Sequence, residues 1–262
     1  MRVTVAGYPV YAYTGSRAFD PALRTIIFVH GAAHDHGVWA LQSRYFAHHG
    51  RNVFAVDLPG HGRSEGEPLA SVAAIADWLL ALLDALAVET AALVGHSMGA
   101  LGVLDAAGRH PERIERIALL GPAAPMPVSE ELLDAARRND HLALELINGW
   151  SFSAADQLGG NPLPGVWMTG NAMRLMERLR PGALYVDLLV CHRYADGVAA
   201  AAKLRCPALL ILGQRDLMAP AKNAQGLIAA LREKRVVTIP ECGHSLMAEA
   251  PDAVLDALRE FL

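Results

Sequence analysis

Residues 92–101 read ALVGHSMGAL, with one serine hydroxyl fenced between Gly95 and Gly99. A serine hydroxyl is a weak nucleophile until a neighbouring base takes its proton, and a histidine steadied by a carboxylate is the usual base near neutral pH. With such partners Ser97 could attack an acyl carbon and hold the acyl group covalently until water releases it. Gly-x-Ser-x-Gly alone is a weak signal, because turns collect both residue types, so its surroundings decide its worth. Here the apolar run AALV precedes it and GALGVLDAAGRH, a helical pattern, follows it. Ser97 therefore sits at a strand-to-helix turn, where a sharp reversal presses positions 95 and 99 together and leaves no room for side chains. The helix that starts near Met98 points its positive end at the hydroxyl, and the Met98 N–H, lacking an intrahelical acceptor, is free to bind an oxyanion.

Such a turn needs a sheet behind it. Continuous apolar runs recur at 25–29 (TIIFV), 52–56 (NVFAV), 91–94 (AALV), 116–120 (RIALL), 207–212 (PALLIL) and 235–239 (RVVTI), the signature of parallel strands buried on both faces. Between them lie helical patterns, clearest over 69–87, where Val72, Ile75, Leu79, Leu82, Leu83 and Leu86 share one face. Strand and helix in alternation give a doubly wound, mostly parallel α/β sheet. The earlier segments VTV at 3–5 and VYAY at 10–13 alternate instead, and predict an antiparallel hairpin at the sheet edge. From 122 to 202 the rhythm changes to amphipathic helices, predicted over 129–147, 170–180 and 182–195 and punctuated by Pro125, Pro127, Pro162, Pro164 and Pro181-Gly182. This divides the chain into a core, 1–121 and 203–262, and a helical cap, 122–202, laid over the sheet.

Composition excludes several classes. The chain has 262 residues, 53% of them hydrophobic, and a net charge of −4, which argues against a nucleic-acid binder and against disorder. No apolar run approaches the roughly 20 residues of a membrane span, and the amino terminus lacks a signal-peptide pattern. Cys191, Cys206 and Cys242 are odd in number and widely spaced, which suits reduced thiols in a cytoplasmic protein. The expected partner is a small-molecule substrate, with neither nucleic acid nor membrane; a homodimer is the one assembly left open.

With these elements placed, the sequence resembles the α/β-hydrolase superfamily over nearly its whole length, in the serine-nucleophile, esterase- and lactonase-like branch with a helical cap. Besides the turn at Ser97, FVHGAAHDHGVW (28–39) is similar to that family's His-Gly loop, and DLPGHGRS (57–64) to its Asp-x-Pro-Gly-x-Gly-x-Ser turn. LGQRDLMAP (212–220) resembles the loop that carries the acid, here Asp216, and IPECGHSLMAEAP (239–251) the segment that carries the histidine, here His244. The resemblance implies Ser97 as nucleophile, His244 as general base and later acid, Asp216 as its orienting partner, and the amides of Ala32 and Met98 as oxyanion donors. Each of the three side chains follows an apolar strand run, so a parallel sheet would bring them to one edge. Asp187 and Asp196 are rivals for the acid, as surface carboxylates or alternatives, but neither directly follows a strand.

Other residues have plainer readings. His30 would brace the oxyanion loop, His96 would shape the turn, and Asp57 and Ser64 would fix a turn beneath the site. His34, Asp35 and His36 suggest a metal site, but alternate loop residues need not converge, and neither metal nor cofactor is implied. In the cap, Trp150, Phe152, Trp167, Met168 and Met173 are the candidates for the substrate pocket. Arg137, Arg138, Arg174, Arg178 and Arg180 fit a solvated face better than an anion grip. The expected activity is hydrolysis of an ester-like bond in a small, largely apolar acyl substrate through an acyl-enzyme. Enol-lactonase, thioesterase, carbon–carbon bond hydrolase and cofactor-free haloperoxidase chemistry are alternatives, as is a receptor that retains the three residues. Carbon–carbon hydrolases commonly carry an aromatic after the histidine, where this chain has Ser245-Leu246.

Overall fold

A computed structural model of the chain describes residues 1–160 and 165–262; Pro162 and Pro164 lie outside the described residues. Among these, strands β1 (Arg2–Val5), β2 (Tyr8–Tyr13), β3 (Thr25–Val29), β4 (Asn52–Val56), β5 (Ala91–His96), β6 (Ile114–Leu120), β7 (Ala208–Gly213) and β8 (Lys234–Ile239) form one sheet, ordered β1-β2-β4-β3-β5-β6-β7-β8. The hairpin β1-β2 is antiparallel, as is β2 against β4, and every later pairing is parallel.

Period-2 alternation sorts the strand side chains into two cores. Ile27, Val29, Phe54, Val56, Leu93, Ile117 and Leu210 join one buried cluster, while their neighbours Ile26, Phe28, Val53, Ala55, Val94, Ala118, Leu209 and Ile211 join another across the sheet. The first face is covered by α2 (Val72–Ala85) and α3 (Met98–Arg109), the second by α1 (Ala40–His48) and α12 (Pro251–Phe261). Ser71 starts α2 by accepting the Ala74 N–H, a cap worth about 1 kcal/mol. The run at 235–239 departs from expectation: β8 is the edge strand and largely exposed, with Lys234 and Arg235 on that edge in keeping with protection against stray pairing.

Between β6 and β7 lie α4 (Glu130–Arg137), α5 (Leu142–Ser151), α6 (Ala154–Gln157), α7 (Met168–Met176), α8 (Ala183–Arg193) and α9 (Gly197–Lys203). The single helix predicted over 129–147 is two. Asn139 takes a φ of 52°, its N–H and that of Asp140 bond back to the carbonyls of Ala136 and Ala135, and this Schellman closure ends α4. Helices α4, α5, α7 and α8 bury a core of their own, built from Leu132, Leu133, Ile147, Met176, Leu184 and Leu188, into which Ala33 of the β3–α1 loop inserts. Helix α9 instead contributes Ala200 and Ala201 to the core beside α3. A separate helix, α10 (Gln225–Ala230), joins β7 to β8, and α11 (Leu246–Glu249) precedes α12. No helix among the described residues is long and apolar enough to cross a membrane.

Candidate active site

Ser97 stands between β5 and α3 with φ 52° and ψ −118°, a backbone conformation that costs a non-glycine residue on the order of 1–3 kcal/mol. Its N–H donates to Leu120 O at 2.9 Å, tying the turn to the end of β6. A Cβ on Gly95 would fall 2.5 Å from Gly99 O, and one on Gly99 would strike the carbonyls of His30 and Val29. Both positions therefore demand glycine.

Asp216 lies three residues beyond β7, where its Oδ1 accepts the Ala219 N–H at 2.7 Å. Its Oδ2 accepts from His244 Nδ1 at 2.7 Å, and both side chains are buried. A proton on Nδ1 leaves the ring's lone pair on Nε2. Gly121, at φ 56°, leaves the space this pair needs, since a Cβ there would come 3.0 Å from His244 Cε1 and Nδ1. The histidine loop is held from both sides. Ser151 O accepts the N–H groups of His244 and Ser245 at 2.9 Å, and His96 Nε2 donates to His244 O at 2.9 Å. Burial keeps His96 neutral by lowering its pKa well below the ordinary imidazole value.

Glu249, which the sequence did not reveal, clamps the same loop. Its carboxyl oxygens accept Gly243 N–H at 3.0 Å and Ser153 N–H at 2.8 Å, joining the histidine segment to the start of α6. Burial lifts its pKa to about 7, the two backbone donors pulling the other way and a hydrogen bond with Asp156 adding to the rise.

The loop after β3 follows the bracing role predicted for His30. Its Nδ1 donates to Gly31 O at 2.8 Å, and its Nε2 accepts the Leu58 N–H at 3.1 Å. Burial, assisted by His61 alongside, depresses its pKa to about 3, so the ring is neutral. Ala32 lines the same chamber as Ser97 and His244. Among the described residues, the Ala32 N–H has no acceptor.

The Alpha/beta hydrolase family model matches residues 26–257. This chain belongs to that family. It is 31% identical over 255 residues to the dihydrolipoyllysine-residue acetyltransferase component of an acetoin cleaving system from Pseudomonas putida, an alignment covering 90% of this chain and 63% of that protein. It is 29% identical over 252 residues to a pimeloyl-[acyl-carrier protein] methyl ester esterase from Chromobacterium violaceum, covering 90% of this chain and 93% of that one. Among solved structures, the enol-lactonase from Burkholderia xenovorans superposes with a TM-score of 0.86 at 25% identity, over 100% of this chain and 99% of that one.

In this hydrolase the chamber over Ser97 measures about 340 Å³ and is walled by Met126, Val128, Leu132, Trp150, Leu188 and Met218. Among the described residues, no lysine, arginine, aspartate or glutamate lines it. A second apolar cavity of about 380 Å³ adjoins it beyond His34 and His96, between α1, α7 and α11. Of the cap residues expected at the pocket, Trp150 lines the chamber, while Phe152 and Met168 line the second cavity. Trp167 and Met173 line neither. Trp167 is 73% exposed and packs across Gly170, and Met173 is spent on the cap's own core.

One further expectation changes, at Asp187. Asp187 is neither a surface carboxylate nor a partner of His244; it is buried on α8, 2.8 Å from His61 Nε2. His34 parts from Asp35 and His36, donating through Nδ1 to Ala32 O at 2.7 Å. Asp57 takes its place, and Asp35, His36 and Asp57 gather within 4.8 Å. Their contacts belong to a turn: Asp57 accepts from the backbone and ring of His36 and from Arg63 N–H, and Asp35 caps Gly37. Ser64, as expected, locks the same turn by donating to Asp57 O at 2.7 Å. The cap arginines are engaged elsewhere, Arg137 with Asp134, Arg174 with Glu177, and Arg180 with the carbonyls of Ser64 and Gly66.

Proposed function

We propose that this hydrolase is a serine esterase acting on a small, neutral, largely apolar acyl ester through an acyl-enzyme. The observation that carries the proposal is the Asp216–His244 pair, closed at 2.7 Å in the chamber that also holds Ser97 on its strained turn. In this mechanism His244 Nε2 takes the Ser97 proton as Oγ adds to the ester carbon, then gives it to the departing alkoxide. Water repeats the sequence on the acyl-enzyme and restores the free hydroxyl. Asp216 holds the imidazole with Nδ1 protonated and stabilises the imidazolium formed at each step. The N–H groups of Ala32 and Met98 receive the oxyanion, a single such donor contributing roughly 2.7–4 kcal/mol in a comparable serine hydrolase. Chamber walls without charged groups favour an uncharged acyl chain, since an ion there would lose water without gaining a partner.

Likeness to the enol-lactonase supports a second reading, in which the ester is cyclic and the leaving enol stays attached to the acyl chain. A fluorophosphonate probe tests the nucleophile: the wild type is labelled and Ser97→Ala is not. Labelling that persisted in the variant would dismiss Ser97. Turnover of short p-nitrophenyl esters beside enol-lactones and thioesters then ranks the bond types.

A further inference from the structure

The peptide units that present the Ala32 N–H are locked by side chains unused in the mechanism above. Peptide planarity sets the Ala32 N–H opposite the Gly31 carbonyl. That carbonyl is held by His30 Nδ1 at 2.8 Å. The next peptide is held at both ends. His34 Nδ1 donates to Ala32 O at 2.7 Å, and the Ala33 N–H donates to Asp187 Oδ2 at 3.0 Å. Ala33 has φ 64°, a left-handed conformation that an alanine keeps only where its surroundings impose it. Its methyl is buried in the cap's core and its N–H is taken by a cap carboxylate.

Asp187 is fixed in turn. The same Oδ2 accepts from His61 Nε2 at 2.8 Å, and His61 Nδ1 faces Pro59 O at 3.0 Å. A carbonyl oxygen cannot donate, so Nδ1 carries a proton; with Nε2 directed at a carboxylate, both ring nitrogens are donors and the ring is an imidazolium. Both side chains are almost wholly enclosed. An enclosed charge without its partner is costly, so each holds the other in place.

We propose that Asp187, paired with His61, is a positioning residue for the oxyanion loop: the cap, through α8, sets the orientation of the Ala32 N–H. This extends the esterase reading, on which it rests for its kinetic consequence. The charged and titratable groups facing the pair are His30, neutral beside His61, with Asp57, His34 and the un-ionised thiol of Cys191. Burial works against the His61 charge, but the Asp187 carboxylate, together with Pro59 O and Asp57, outweighs it and holds the imidazole pKa above its ordinary value.

The test uses the whole chain and a short p-nitrophenyl ester. Asp187→Asn and His61→Gln lower kcat by about 10- to 100-fold, the penalty of misplacing a group by an ångström or less, with KM within about twofold. Asp196→Asn, on another cap carboxylate, leaves both constants unchanged. A kcat within twofold of the wild type, or a loss carried by KM, would overturn the proposal. Two measurements on the unaltered protein need neither variant nor turnover. The Ala33 amide exchanges slowly with solvent hydrogen, and nitrogen NMR shows His61 protonated at both positions at pH 7 while His30 is not. Rapid exchange at Ala33, or a neutral His61, would also overturn it. Failure of the esterase reading has a different signature: labelling independent of Ser97, with Ala33 still protected.

Discussion

Gly121 lies against His244 so closely that a single methyl would reach the imidazole: a Cβ there would stand 3.0 Å from both Cε1 and Nδ1, and 3.5 Å from Asp216 Oδ2. With φ at 56°, the position is also one that an L-residue resists. Gly121→Ala therefore both strains the end of β6 and pushes the ring away from its carboxylate. The expected result is a fall in kcat of about 100-fold with less change in KM, since an ångström of misplacement carries a penalty of that size. Steady-state kinetics on a short ester, with circular dichroism to verify folding, check it. An active Gly121→Ala enzyme would mean that His244 does not need its present place.

Asp216→Asn tests the orienting partner itself. The amide can still contact His244, but its NH2 group can favour the wrong tautomer, placing the proton on Nε2 and leaving no base toward Ser97. By the serine protease precedent the loss in kcat reaches about 10⁴-fold. Full activity would return the acid role to another residue, and Asp187 is already committed to His61.

Much of this was legible in the sequence because local rules act on local residues. The strand runs and their alternation follow from period 2, and Gly95 and Gly99 follow from the sharpness of the turn. What escaped depends on distant encounters. Gly121 needs its glycine for His244, more than 100 residues onward, and Asp187 and His61 are 126 positions apart. Nothing in either stretch alone marks such a meeting. Two misses were local. Asn139-Asp140, after Arg137-Arg138, carries a recognisable stop for α4, and Lys234-Arg235 gives a charged start to what proves an edge strand.

Glu249 makes a pH-dependent contribution to stability. Its pKa is about 7 in the folded chain and near 4.5 when unconstrained, so between those values the native state binds the extra proton. The contribution is fully present below about pH 4.5 and is lost as pH rises through about 7, in total on the order of 3 kcal/mol. Urea denaturation between pH 5 and pH 8 should show this decline in the wild type, and Glu249→Gln should flatten it. Glu249→Ala should destabilise at every pH, because the Gly243 and Ser153 N–H groups lose their acceptor, at about 1–3 kcal/mol for each. A pH slope that the glutamine variant shares with the wild type would place the titrating group elsewhere.

Selectivity should separate between the two apolar spaces. Leu132 walls the chamber with Ser97 and His244, whereas Leu175 on α7 lines the cavity beyond His34 and His96. If the acyl chain occupies the chamber, Leu132→Trp shortens it, and octanoyl esters lose far more kcat/KM than acetyl esters of the same alcohol. Each methylene excluded from an apolar pocket is worth about 1–3 kcal/mol, so a few carbons suffice for a difference of 10- to 100-fold or more. Leu175→Trp leaves that acyl preference as it was. Its effect falls instead on bulky alcohols, provided the leaving group reaches the second cavity. A matrix of acyl lengths against alcohol sizes, measured as kcat/KM for wild type and both variants, reads the two dimensions independently. Identical preferences in all three proteins would assign substrate binding to neither wall.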